Sequence, residues 1–194
     1  MHLRVTGGTA RGLILKSPKG AGTRPTADRV RSALFSILQP HHLGGTRVLD
    51  LYAGTGSLGI EALSRGATSA DFVEGNRACC ALITENLQHT RFTSQGRVYC
   101  GPVARILPTL PLPYDIVLLD PPYADLSLLQ ILGTIESHRS FLSPGALVCV
   151  EHGRQSSPLG QYRNLSLWTS RSYGSTKLSI YQRGGSDDNG SLSR

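Results

Sequence analysis

From Arg47 to Val150 the chain alternates between short apolar runs of β character and stretches whose apolar residues recur at helical spacing. The spacing predicts strands over 47–51, 69–73, 97–100, 115–119 and 146–150, with helices over 58–65, 77–90, 103–110 and 126–138 between them. Strands separated by helices argue for a mostly parallel sheet covered on both faces, an α/β class. After it, "LSLWTSRSYG" and "STKLSIYQR" read as two strands joined at Gly174-Ser175, an antiparallel finish to the sheet.

What precedes the alternation differs in kind. "LRVTGGTARGLILKS" holds two short β-like runs around Gly7-Gly8, a pattern for a hairpin, and "SPKGAGTRPT" reads as a linker. Over 28–39 the residues Val30, Ala33, Leu34, Ile37 and Leu38 keep helical spacing until Pro40 ends it. The expected organisation is residues 1–40 as a hairpin, linker and helix packing on the core, 41–183 as the main domain, and 184–194 as a polar, disordered tail. A chain of 194 residues with 39% hydrophobic content supports one such core.

Charge narrows the partners. Lys and Arg outnumber Asp and Glu by 20 to 13, and up to Arg31 nearly every charged residue is cationic: Arg4, Arg11, Lys16, Lys19, Arg24, Arg29 and Arg31 against Asp28. Such a strip suits a polyanion such as nucleic acid. No apolar stretch approaches a membrane span and "MHLRVTGG" has no signal-peptide core, so a cytoplasmic protein without membrane contact is expected. Cys79, Cys80, Cys100 and Cys149 show neither CxxC spacing nor a histidine cluster, so no metal site or disulfide framework is expected.

In a sheet of this class ligands bind beyond the carboxyl ends of the strands. The first strand ends in "VLDLYAGTGSLGIEALSRGA": Asp50, then Gly54, Gly56 and Gly59 leading into a helix. Glu74 follows the second strand, where a carboxylate accepts both hydroxyls of a ribose, so a nucleoside-containing cofactor is implied. "GTGSLG" also satisfies the dinucleotide pattern GxGxxG. Asp50 decides between them, because a carboxylate before the loop repels a pyrophosphate but hydrogen-bonds, directly or through water, to a methionyl ammonium. S-adenosyl-L-methionine is favoured over NAD.

The fourth strand ends in "DPPY". Asp120 and a carbonyl of the rigid Pro121-Pro122 turn aim two acceptors at one point, which suits an exocyclic amine, and Tyr123 offers a stacking face for the ring that bears it. The prolines preorganise the acceptors.

"DPPY" is similar to the catalytic motif of amino-group methyltransferases. "RVTGGTARGLIL", "TRPTADRVRSALFSIL", "FVEGNRACC" and "SYGSTKLSIY" together resemble the RsmD family, bacterial enzymes that methylate N2 of a guanine in small-subunit (16S) ribosomal RNA. The resemblance runs from about Arg4 to Tyr181. It implies a Rossmann-like class I S-adenosylmethionine-dependent methyltransferase sheet. It implies cofactor binding by Asp50, Tyr52, Gly54, Thr55, Gly56 and Glu74, and catalysis by Asp120, Pro121, Pro122 and Tyr123. RNA docking falls to Arg4, Arg11, Arg24, Arg29 and Arg31, with ribosomal RNA, free or within an assembling small subunit, as the partner of a monomer. In "YCGPVA", Pro102 stands where related enzymes often carry an acid or polar residue for the adenine amine, so Pro102 is not a candidate. The rival readings are a DNA adenine-N6 methyltransferase, an NAD-dependent oxidoreductase that leaves "DPPY" idle, and a non-catalytic RNA-binding assembly factor that leaves Asp120 without a task.

Overall fold

The computed structural model describes residues 3–18, 25–39, 43–111, 113–121, 128–138, 140–153 and 162–184. The elements follow one another as α1 (Pro25–Leu38), β1 (Arg47–Leu51), α2 (Ser57–Ser64), β2 (Ser69–Glu74), α3 (Arg77–Thr90), β3 (Gly96–Cys100) and α4 (Val103–Ile106). A 3₁₀ turn (Leu107–Thr109) leads to β4 (Tyr114–Leu119), α5 (Leu128–Ser137), β5 (Leu142–Gly153), β6 (Leu165–Tyr173) and β7 (Thr176–Arg183).

The seven strands form one sheet in the order β3-β2-β1-β4-β5-β7-β6. β1 to β5 run parallel, and β7 inserts antiparallel between β5 and β6. The expected mostly parallel sheet with an antiparallel finish is what forms. Alternate residues of each central strand enter opposite layers. Val48, Phe72, Leu118, Cys149 and Ile180 join α1, α2, α3 and the N-terminal segment through Phe35, Ile60, Ile83 and Val5. Leu49, Val73, Val117, Val150 and Tyr181 join α4 and α5 through Val103, Leu107, Ile131 and Leu132. Burial on both faces is why these strands read as nearly continuous apolar runs.

Two elements depart from the expected bounds for local reasons. The helix expected over 103–110 divides into α4 and the 3₁₀ turn, since Pro108 has no N–H to continue an α-helix. The strand expected over 146–150 is longer, Leu142–Gly153, because it carries a bulge: Tyr114 pairs with Leu142 but Ile116 with Leu147. Pro144-Gly145, with Gly145 at φ 76°, reads as a turn yet lies inside the strand. The polar tail, apart from Gly184, lies outside the described residues.

The basic N-terminal segment forms the expected hairpin. Arg4 bridges Ile14, Val5 N–H donates to the Leu13 carbonyl at 3.0 Å, and Leu15 N–H donates to the Leu3 carbonyl at 2.8 Å. Buried polar groups of the core grip it. Glu61, fully buried on α2, accepts Thr6 N–H and Thr6 Oγ1–H, both at 2.7 Å, and Arg65 Nε–H at 2.8 Å. Ser64 Oγ accepts Ala10 N–H at 2.9 Å and donates to the Gly7 carbonyl at 2.6 Å. At Gly8, with φ 77°, a Cβ would stand 1.7 Å from the Ser64 carbonyl oxygen, so only glycine allows this approach.

Candidate active site

The carboxyl ends of the central strands bring the sequence-derived acids together. β1 lies between β2 and β4, with Asp50 paired to Phe72 on one side and Leu118 on the other. Glu74 is the last residue of β2 and Asp120 the first after β4. The three acids sense one another. Burial, reinforced by the negative charges of Asp120 and Glu74, pushes the Asp50 carboxyl well above the usual carboxylate range, while the Gly59 N–H opposes the shift.

The turn after β1 is built for close backbone approach. Gly54 and Gly56 adopt φ 56° and 75°, and Gly56 caps α2. Tyr52 reaches φ 60° without being glycine, a conformation that costs energy and concentrates at functional loops. Glu74 holds the turn from across the sheet: its Oε2 accepts Gly54 N–H at 2.8 Å and its Oε1 accepts Asn76 N–H at 2.7 Å. Behind the turn the buried Asn86 of α3 donates to the Thr55 carbonyl and the Lys16 carbonyl, each at 3.0 Å, and accepts Lys16 N–H at 2.7 Å. The cofactor loop and the N-terminal segment therefore share one brace.

Asp50 also has a structural task. It is 1% exposed and its Oδ2 accepts Gly59 N–H at 2.9 Å, so it anchors the first turn of α2 from inside.

The remaining residues divide. Asp120 is exposed and Pro121 buried, while Pro122 and Tyr123 lie outside the described residues. Among the cations expected to dock RNA, Arg4, Arg11 and Arg29 are exposed, and Arg24 lies outside the described residues. Arg31 is a correction. It is 5% exposed, and its Nη2 donates to the Arg4 carbonyl at 2.9 Å and to Asp28 Oδ1 at 3.0 Å. Helical spacing puts it on the inward side of α1 with Leu34 and Phe35 rather than on the basic surface. It holds the hairpin to α1.

Sequence reasoning passed over Glu151, near the end of β5. Leu119 of β4 pairs with Val150, so Glu151 neighbours Asp120. Burial and the charge of Asp120 push its carboxyl up to about 8. The signal was present, an acid directly after the apolar run "ALVCV", as Glu74 follows "SADFV". Among the described residues no group of His, Cys, Asp and Glu is arranged to hold a metal ion, and no helix is long and apolar enough to cross a membrane.

Comparison with known proteins agrees with this geometry. Residues 3–182 match the family described as Conserved hypothetical protein 95. Ribosomal RNA small subunit methyltransferase D of Escherichia coli is 34% identical over 182 residues, 94% of this chain and 90% of the relative. The protein of that name from Haemophilus influenzae is 32% identical over 93% of this chain and 94% of the relative. The solved structure of yhhF from Escherichia coli superposes with a TM-score of 0.84 at 32% identity, covering 95% of this chain and 99% of that one.

Proposed function

The chain belongs to the Conserved hypothetical protein 95 family, the RsmD family, and on that premise we propose that it is an S-adenosylmethionine-dependent methyltransferase acting on N2 of a guanine in small-subunit ribosomal RNA. The observation that carries the cofactor is the row of acids at the strand ends: Asp50, Glu74 and Asp120 lie within electrostatic reach of one another. A pyrophosphate is repelled there, whereas a ligand bearing a sulfonium and an ammonium is attracted. The residues fit that ligand. Glu74 would hold the ribose hydroxyls, and the Gly54 to Gly56 backbone leaves room for the methionyl portion.

When bound, S-adenosylmethionine supplies a methyl carbon activated by its sulfonium; the C–S bond breaks as the C–N bond forms, leaving S-adenosylhomocysteine, and the amine gives up one proton. The chain's own part is to hold the acceptor. A guanine amine is a poor nucleophile because its lone pair is delocalised into the ring. Hydrogen bonds from its two N–H groups to Asp120 and the Pro121 carbonyl orient it and favour a pyramidal nitrogen. Alignment of this kind contributes up to about 7 to 11 kcal/mol in favourable systems. The stacking role is assigned to Tyr123, which lies outside the described residues, and solvent or Asp120 receives the proton. Arg4, Arg11 and Arg29 meet the phosphates of RNA, free or within an assembling subunit. The protein works as a cytoplasmic monomer.

The test is product identification. Small-subunit RNA and particles from a strain lacking the protein are incubated with the purified chain and methyl-labelled S-adenosylmethionine, then digested to nucleosides. N2-methylguanosine is the expected labelled product. No label, or label on the amine of adenosine, overturns the proposal.

A further inference from the structure

Glu151 is an acid at the strand ends to which the proposed chemistry gives no task. In the parallel β4–β5 pair, Leu118 is opposite Cys149 and Leu119 opposite Val150. The next position on each strand is an acid, Asp120 on one and Glu151 on the other. Both stand two residues beyond the row formed by Asp50, Leu118 and Cys149, on the face that packs against α1, α2 and α3. Glu151 pairs across to the buried Leu178 of β7, and Arg171 of β6 continues that rung. A half-buried acid is therefore set beside the one proposed to meet the amine.

The substrate edge calls for such a pair. The Watson–Crick edge of guanine offers two adjacent donors, N1–H and the N2 amine, while that of adenine offers one donor and one acceptor. Asp120 with the Pro121 carbonyl accounts for the amine alone. We propose that Glu151 accepts the N1–H of the target guanine and so determines the choice of base, acting beside Asp120. This rests on the guanine-N2 reading above.

A consequence follows for pH. Glu151 makes a strong, charge-assisted acceptor only when ionised, and its carboxyl is held up to about 8 by burial and by Asp120. Among the described residues the charge that acts on it is Asp120 after β4, and Arg171 of β6 continues its rung through Leu178 of β7. His152, the next residue, points to the other face, where its Nε2 meets Ser179 Oγ at 2.9 Å. The kcat/KM for RNA should therefore rise as pH increases through about 8.

The experiment uses the full chain with small-subunit particles from a strain lacking the protein. For wild type, kcat/KM should climb about tenfold per pH unit below the transition and level off above it. Glu151→Gln should lower kcat/KM about ten- to a hundredfold at high pH and abolish the climb, with S-adenosylmethionine affinity unchanged as a folding control. Glu151→Asp should keep a pH-dependent limb. A second substrate, small-subunit RNA carrying 2-aminopurine at the mapped guanine, keeps the amine but replaces N1–H with a lone pair. Wild type should lose about ten- to a hundredfold on it, and Glu151→Gln, whose amide donates to that lone pair, should lose much less. A Gln variant with the wild-type limb, or with the wild-type ratio between the two substrates, overturns the role of Glu151 alone. Wild type that transfers no methyl group to either substrate overturns the proposed function and this inference with it.

Discussion

Glu74 Oε2 accepts the Gly54 N–H at 2.8 Å, so the end of β2 fixes the turn that follows β1. The same carboxylate is the group proposed to accept the ribose hydroxyls, and loop order and ligand binding thus depend on one side chain. Glu74→Ala removes a charged acceptor from both partners. Affinity for S-adenosylmethionine should fall about ten- to a hundredfold, equivalent to about 1.5 to 3 kcal/mol. Calorimetry on the folded variant checks this, and an unchanged affinity would remove Glu74 from the site.

Asp120 is exposed at the same strand ends and is the residue proposed to hold the acceptor amine. Asp120→Ala should bind S-adenosylmethionine nearly as wild type does and lose turnover, because the bonds proposed for it serve the amine. Single-turnover kinetics with bound cofactor separate the two effects. A variant with the wild-type rate would leave the amine to other groups.

Glu61 tests how the N-terminal hairpin is held. It is fully buried and accepts three hydrogen bonds, two from Thr6 and one from Arg65. Glu61→Ala leaves Arg65 Nε–H and the Thr6 N–H without their acceptor while Arg65 Nη2 keeps Thr6 Oγ1, so the cost should lie at or below the roughly 3 to 5 kcal/mol of breaking a fully buried ion pair. Thr6→Ala keeps the ion pair and should cost only about 1 kcal/mol. Urea unfolding of the two variants gives the comparison, and equal midpoints would deny Glu61 its anchoring role.

The raised carboxyl of Glu151 also predicts a stability change. At pH values below its ordinary 4.5, folded and unfolded chains are both protonated there and the group is neutral to stability. As pH rises towards about 8 the unfolded chain ionises while the folded site resists, so the folded state loses ground. Glu151→Gln removes that loss. Its melting temperature should match wild type in acid and exceed it at pH 8, a gain in stability opposite in sign to the loss of turnover. Melting curves that stay parallel across this range would contradict the shift.

Much of this was legible in the sequence because the relevant forces are local. The bounds of β1 and α3 match their periodicity, Arg47–Leu51 and Arg77–Thr90, since apolar spacing ends cleanly at Leu51 and the Asn76 side chain caps α3. Glu74 and Asp120 were found by one rule, an acid at the end of an apolar strand, and Glu151, directly after the strand expected over 146–150, satisfies the same rule. What stayed hidden depends on contacts distant in sequence. Asn86 reaches Lys16 across 70 residues and Thr55 across 31, and neither partner has a composition that announces the other. Arg31 carries the same charge as Arg29, but its position two residues along the helix turns it into the core.

That division reshapes the prediction for RNA. Among the described cations of the hairpin and α1, Arg4, Arg11 and Arg29 are exposed, whereas Lys16 pairs with Glu85 and Arg31 is spent within the protein. Each phosphate contact on a duplex releases counterions and contributes about 0.9 log unit of affinity per log unit of salt, and about 0.7 on a single strand. Arg4→Glu with Arg11→Glu should weaken RNA binding and flatten the slope by about 1.4 to 1.8 if both residues touch phosphates. The cofactor site should not change, because the hairpin joins the cofactor turn through the Lys16 backbone on Asn86 and not through either arginine side chain. Arg31→Glu gives the contrast: it should lower the melting temperature, since its guanidinium holds the Arg4 carbonyl and Asp28. RNA affinity measured across a salt series, with S-adenosylmethionine binding as the control, decides it. Equal slopes for wild type and the double variant would take the hairpin out of the RNA interface and move the search to Arg163 and Arg171, which are exposed along the β6 edge of the sheet.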